Sequence, residues 1–249
     1  MRYISWLRAW TFVAVILACT GLSYAQSPQS SPTPTPTPVR TAGGSFAKKI
    51  VRDQKAIWLS PFHMDRGDLK VVGPLAAGTA GLMLADRHTS AWVDRFGTLP
   101  VASRDTSLGG TIYSTAGTAG AFLFVGAATH NEHVRKTGEL AAEAIIDTGI
   151  VTTGLKEIFQ RERPNFDNGR GLFFKGGSSF PSGHSSNIWA AATVIAYQYK
   201  DRPFIKYGAF AAAILVSMSR YSGRNHFLSD IVVGSAAGYG IGRYVYKNQ

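Results

Sequence analysis

An all-α fold, a bundle of about six core helices, is the architecture this chain of 249 residues predicts. Apolar residues gather in six segments, 71–85, 111–129, 140–159, 185–199, 204–218 and 227–246. Each is long enough for several helical turns. None alternates apolar and polar residues in the way a half-buried strand does. Pro, Gly, Ser and Asn stand between the segments, where helices start and stop, and no internal repeat breaks the series.

Taken in order, residues 1–25 carry Arg2 and Arg8, an apolar run from Trp10 to Ala18 and a small-x-small ending at Ser23-Tyr24-Ala25, the layout of a secretory signal peptide. Cys19 is the only cysteine, so cleavage after Ala25 would leave no thiol for a disulfide. Residues 26–45 form a Pro/Thr/Ser-rich linker, an extended spacer with too little apolar surface to fold. Residues 46–249 are the folded domain, opening with a basic amphipathic stretch, 46–58. Phe46, Ile50, Ile57 and Trp58 share one face of it, and Lys48, Lys49, Arg52 and Lys55 line the rest. Such a stretch suits either a membrane surface or the flank of its own domain.

The net charge of +11 favours an anionic membrane surface or a phosphorylated substrate. No basic-aromatic motif speaks for nucleic acid. A membrane bundle is favoured over a soluble one, against some resistance from the sequence. The 71–85 segment is short for a span, Glu143 and Asp147 interrupt the third segment, and the mean hydropathy is near zero. A cleaved leader would put the domain outside the cytoplasm, so the expected location is the periplasm or the cell-envelope membrane, with the functional end facing outward.

Three short runs bear the chemistry: Lys156-x6-Arg163-Pro164, Pro181-Ser182-Gly183-His184, and Ser219-Arg220-x5-His226-x3-Asp230. Lys156 and Arg163, seven apart, would share a helix face, with Pro164 ending the helix. The second run precedes an apolar helix, whose first free N–H groups form an anion site. Gly183 lets an anion approach the backbone, Ser182 adds a hydroxyl, and His184 stands where it could protonate a leaving oxygen. In the third run the i, i+4 spacing sets Asp230 against His226, fixing a tautomer that leaves the other ring nitrogen free to attack. Each run alone fits a basic helix end, a capped turn or a structural His–Asp pair. All three together, in one order, make an inventory for phosphoryl transfer without a metal.

With these runs the chain resembles the type 2 phosphatidic acid phosphatase superfamily, which also contains bacterial class A acid phosphatases and vanadium haloperoxidases. The resemblance covers about residues 139–245. It implies that His226 is the nucleophile, Asp230 its orienting partner and His184 the general acid. It implies too that Lys156, Arg163 and Arg220, with Ser182 and the Gly183 N–H, hold the phosphate, and that no cofactor is needed. The expected activity is a metal-independent phosphatase acting through a phosphohistidine on phosphomonoesters or pyrophosphates, with lipids as the expected substrates. A nonspecific soluble acid phosphatase, a vanadium-dependent haloperoxidase and a non-catalytic lipid-phosphate binder remain alternatives. Arg161 and Arg224 read as solvated or supporting charges, and His130-x2-His133 as part of a polar loop. Residues 165–180, with Phe166, Phe173, Phe174 and Phe180, read either as a mobile loop that meets an acyl or prenyl chain or as a surface loop folded onto the core.

Overall fold

The computed structural model describes residues 42–96, 112–166 and 169–249. The proposed leader and nearly all of the linker lie outside them. Among the described residues, seven α-helices run in the order α1 (Ala42–Leu59), α2 (Arg66–Phe96), α3 (Ile112–Ala128), α4 (Glu132–Phe159), α5 (Gly183–Gln198), α6 (Pro203–Ser222) and α7 (Leu228–Lys247), with a short 3-10 turn, Ser60–His63, after α1. There is no strand among the described residues. Each of the six apolar segments lies on one of α2 to α7, and the basic amphipathic stretch is α1. The 71–85 segment belongs to a helix twice its length, since Asp86, Arg87 and His88 continue α2 rather than end it.

α5 is the axis of the bundle, with α4, α6 and α7 packed around it. Its turns are Ala-rich and almost wholly buried. Leu140, Ala141, Ala144 and Ile145 of α4 meet Ala190, Ala191 and Val194 of α5 and Ile241 and Val245 of α7 in the main core. On α7, Gly234, Gly238 and Gly242 recur every four residues, a single stripe along the helix. A Cβ on Gly238 would lie 2.1 Å from the Ser186 carbonyl oxygen, and one on Gly242 would lie 2.6 Å from that of Ala190. Only hydrogen at these positions lets the two backbones close to this distance.

α1 packs on its own domain. Lys49 Nζ donates to Glu143 at 2.7 Å, Gln54 Nε2 to Asp147 at 2.8 Å, and Tyr244 to Asp53 at 3.3 Å. The acidic residues that made the third segment look costly in lipid thus turn inward, onto partners that α1 supplies. Asp53, Glu143 and Asp147 form a buried cluster, and the Lys49 ammonium and Arg52 guanidinium already stand beside it.

α2 reverses the usual helix pattern. Its buried side chains include Thr79, Asp86, Ser90 and Val93, whereas Leu69, Val71, Leu75, Leu84 and Trp92 are exposed. By length and composition Arg66–Val93 is the one helix among the described residues able to cross a membrane.

Candidate active site

At one end of the bundle, the C-terminal ends of α4 and α6 meet the N-terminal ends of α5 and α7. The first pair supplies Lys156 and Arg220 in their last turns, where cations suit the helix dipole. The second pair supplies free N–H groups.

The three runs converge there. Ser182 N donates to the Asp230 carbonyl at 3.0 Å, which joins the second run to the third. A Cβ on Gly183 would lie 3.8 Å from Lys156 Cε, which places the first run against the second. The Lys156 ammonium donates to the Ser178 carbonyl, and Arg163 Nη2 to the Ser178 hydroxyl at 3.3 Å. Arg220 is buried, and its Nε has no hydrogen-bond partner. Lys156, Arg163 and Arg220 therefore face the same space with no carboxylate paired to any of them among the described residues.

Two local expectations change. Lys156 and Arg163 do not share a helix face. Gln160 turns left-handed (φ 43°, ψ 44°) and caps α4 through its N–H to the Lys156 carbonyl, so the helix ends at Phe159, before Pro164 has any say. Arg163 reaches the site from the following loop, which is pinned by the pairs Glu162 N to Leu172 O and Ser179 N to Arg161 O. His226 likewise precedes α7 instead of opening it, so the one-turn helical spacing to Asp230 does not apply. Its Nδ1 lies 2.7 Å from the Ser179 carbonyl and 3.7 Å from Asp230 Oδ2. A carbonyl only accepts, so the hydrogen is on Nδ1 and Nε2 keeps its lone pair. Asp230 Oδ2 in turn accepts from Ser179 Oγ at 2.5 Å and from Phe227 N at 2.9 Å, capping α7.

Burial pulls His226 down to about 4, against the nearby Asp230 carboxylate and with help from Lys156 and Arg220. His184 falls further, to about 3, through burial and the facing charges of Arg220, His226, Lys156 and Arg163. Ser182 is the N-cap of α5, its Oγ accepting from Ser185 N at 3.5 Å.

Sequence reasoning missed part of the support behind the histidine. Ser179 carried no signal beyond lying near the second run. Arg161, read as a solvated or a supporting charge, is the supporting one: it is buried and binds Asp230 Oδ1 at 2.6 Å. Asp86, some 75 residues earlier in the chain, binds Arg161 in turn at 2.9 Å. Nothing in the sequence sets Asp86 apart from Asp68 and Asp94 of the same helix. Arg224 is half-buried and ties Pro164 O at 3.1 Å. The 165–180 loop divides its aromatics. Phe180 is buried and Phe173 packs on it at 5.7 Å, whereas Phe166 and Phe174 are exposed.

The PAP2 superfamily model matches residues 140–249. Among curated proteins, the chain is similar to a lipid A 1-phosphatase of Porphyromonas gingivalis, 30% identical over 39% of this chain and 20% of that protein. It is also similar to a PA-phosphatase related-family protein of Dictyostelium discoideum, 31% identical over 47% of this chain and 49% of that one. The matched stretch thus spans at most about half the length of these relatives. Among solved structures, the first transmembrane PAP2 type phosphatidylglycerolphosphate phosphatase from Bacillus subtilis shares the fold, with a TM-score of 0.54 and 20% identity over 82% of this chain and 94% of that one.

Proposed function

We propose that this chain, whose residues 140–249 match the PAP2 superfamily model, is an exported, membrane-bound phosphatase that hydrolyses lipid phosphates or pyrophosphates through a phosphohistidine on His226. The observation that carries the reading is the set of cations Lys156, Arg163 and Arg220 gathered around His184 and His226, with no carboxylate paired to any of the three among the described residues. Three cations bonded to neutral groups at most suit the equatorial oxygens of a phosphoryl group in flight, whose charge they would spread as the reaction proceeds.

The chemistry follows from the hydrogen bonds. Nδ1–H of His226 is held by the Ser179 carbonyl, so Nε2 attacks phosphorus in line. The P–N bond forms as the P–O bond to the leaving group breaks, and His184 gives that oxygen its proton. Water then attacks phosphorus, His184 takes the water's proton, and the P–N bond breaks to release inorganic phosphate. Ser182, the Gly183 N–H and the dipole of α5 add donors to the phosphate oxygens.

Support for a lipid substrate comes from the outer surface. Leu84 is 85% exposed on α2, Phe124 73% on α3 and Phe204 95% on α6. Apolar faces of this extent, around a helix whose buried stripe is polar, match lipid better than water. Phe166 and Phe174 are exposed on the loop that leads from Arg163 to Ser178, placed to meet an acyl chain. The names of both curated relatives point to the same substrate class.

The test compares phosphate release by the full chain in membranes from phosphatidic acid, a lipid A phosphate, a prenyl pyrophosphate and p-nitrophenyl phosphate, with His226→Ala as control. Lipid substrates should be preferred, and His226→Ala should lose at least roughly a thousandfold in kcat. Fast release from the soluble ester alone would make it a nonspecific acid phosphatase. Turnover retained by His226→Ala would refute the nucleophile.

A further inference from the structure

Asp86 lies on α2, outside the segment that the superfamily model matches, yet it reaches the support of the reacting histidine. It is 2% exposed on a helix whose outward face is apolar. Its Oδ2 accepts from Arg161 Nη2 at 2.9 Å and from the Ser229 hydroxyl, and its Oδ1 from Ser229 N at 3.3 Å. Arg161, equally buried, donates through Nη1 to Asp230 Oδ1 at 2.6 Å and to Ser229 Oγ at 2.8 Å, and through Nε to the Gly171 carbonyl at 3.1 Å. The rings of Phe227 and Phe173 lie 4.2 and 4.9 Å from the guanidinium carbon. A planar fork held along three edges and stacked by aromatics has one orientation.

We propose that Asp86 and Arg161 are positioning residues for the reaction, through which α2 holds the Asp230 carboxylate, and with it Ser179 and His226, in working geometry. This rests on the reading of His226 as nucleophile. Among the described residues, Arg161 is the only side chain that donates to Asp230 Oδ1, whereas Ser179 Oγ and Phe227 N donate to Oδ2. Without it, a buried carboxylate would rotate or take a proton. Ser179, whose hydroxyl binds that carboxylate and whose carbonyl holds His226 Nδ1, would lose its side-chain anchor and keep only its N–H to the Arg161 carbonyl. Asp86 has a separate task. A guanidinium facing Asp230 alone would largely neutralise it. A second carboxylate draws part of that charge away, so Asp230 keeps its pull on the imidazolium that forms as His226 reacts.

The experiment uses the full chain in membranes and the substrate hydrolysed fastest in the panel above, with orthovanadate as the probe of the phosphate pocket. Arg161→Met should lower kcat by roughly a hundredfold and the isosteric Asp86→Asn by roughly tenfold, with Arg161→Lys between wild type and Arg161→Met. The vanadate inhibition constant should move less than about threefold, because Lys156, Arg163 and Arg220 are untouched. Introduced into Asp230→Asn, Arg161→Met should cost less than about threefold more, since both act through one carboxylate. Wild-type kcat in Asp86→Asn and Arg161→Met, with His226→Ala inactive, would overturn the proposal alone. So would a parallel loss of kcat and vanadate affinity in Asp86→Asn, the mark of general damage, or full multiplicative losses in the Asp230→Asn background. An active His226→Ala would overturn the functional reading and this proposal with it.

Discussion

At His226, the backbone decides which nitrogen would react in the proposed mechanism. The Ser179 carbonyl at 2.7 Å takes the Nδ1 hydrogen, so Nε2 is basic, and with its pKa near 4 the ring is neutral above about pH 5. The proposed mechanism puts the opposite demand on His184, which would have to hold a proton when the leaving oxygen departs. In the free site burial and the cations keep it near 3. A bound phosphate offsets those cations and raises it, so binding takes up a proton. Affinity for inorganic phosphate is then highest at low pH and falls as pH rises through the His184 value of the complex. Measured between pH 5 and 8, wild type should lose affinity more steeply than His184→Ala, the ligand's own titration being common to both. Parallel curves would remove His184 from the proton's path.

The element that aligns the second and third runs is the close pair α5 and α7. Gly234, Gly238 and Gly242 let α7 approach until a Cβ on Gly238 would collide with the Ser186 carbonyl oxygen at 2.1 Å. That oxygen is backbone and cannot swing aside. Gly238→Ala should therefore cost about 2–3 kcal/mol, read as a fall of roughly 5–10 °C in Tm. It should also lower activity, because Ser182 N binds the Asp230 carbonyl across this same interface. An unchanged Tm would mean that the helices are looser than the structure has them.

Across the described residues, several ionic groups lie inside and several large apolar side chains lie outside. Asp86, Glu143, Asp147 and Arg161 are buried beside partners around the apolar core, and Leu84 of α2, Phe124 of α3 and Phe204 of α6 are exposed. That distribution suits a hydrocarbon surround, where unpaired polar groups are far more costly than in water. The full chain should remain with membranes through alkaline carbonate extraction. Release into the supernatant would leave the exposed apolar faces to a partner other than lipid.

The amino-acid sequence alone determined the helices and the identity of the eight proposed site residues, because apolar periodicity, caps and short motifs are local signals. It also held the inventory of anion-binding groups, which depends on residue type. What only the tertiary structure decided is how those groups are held. The left-handed Gln160 moved Arg163 off the helix, and the Ser179 carbonyl took the place expected for Asp230 beside His226. Asp86 joined Arg161 across 75 residues of chain. Such contacts leave no mark on spacing, because a buried ion pair is set by which helices pack together, and that follows from the shapes of whole faces such as the glycine stripe of α7.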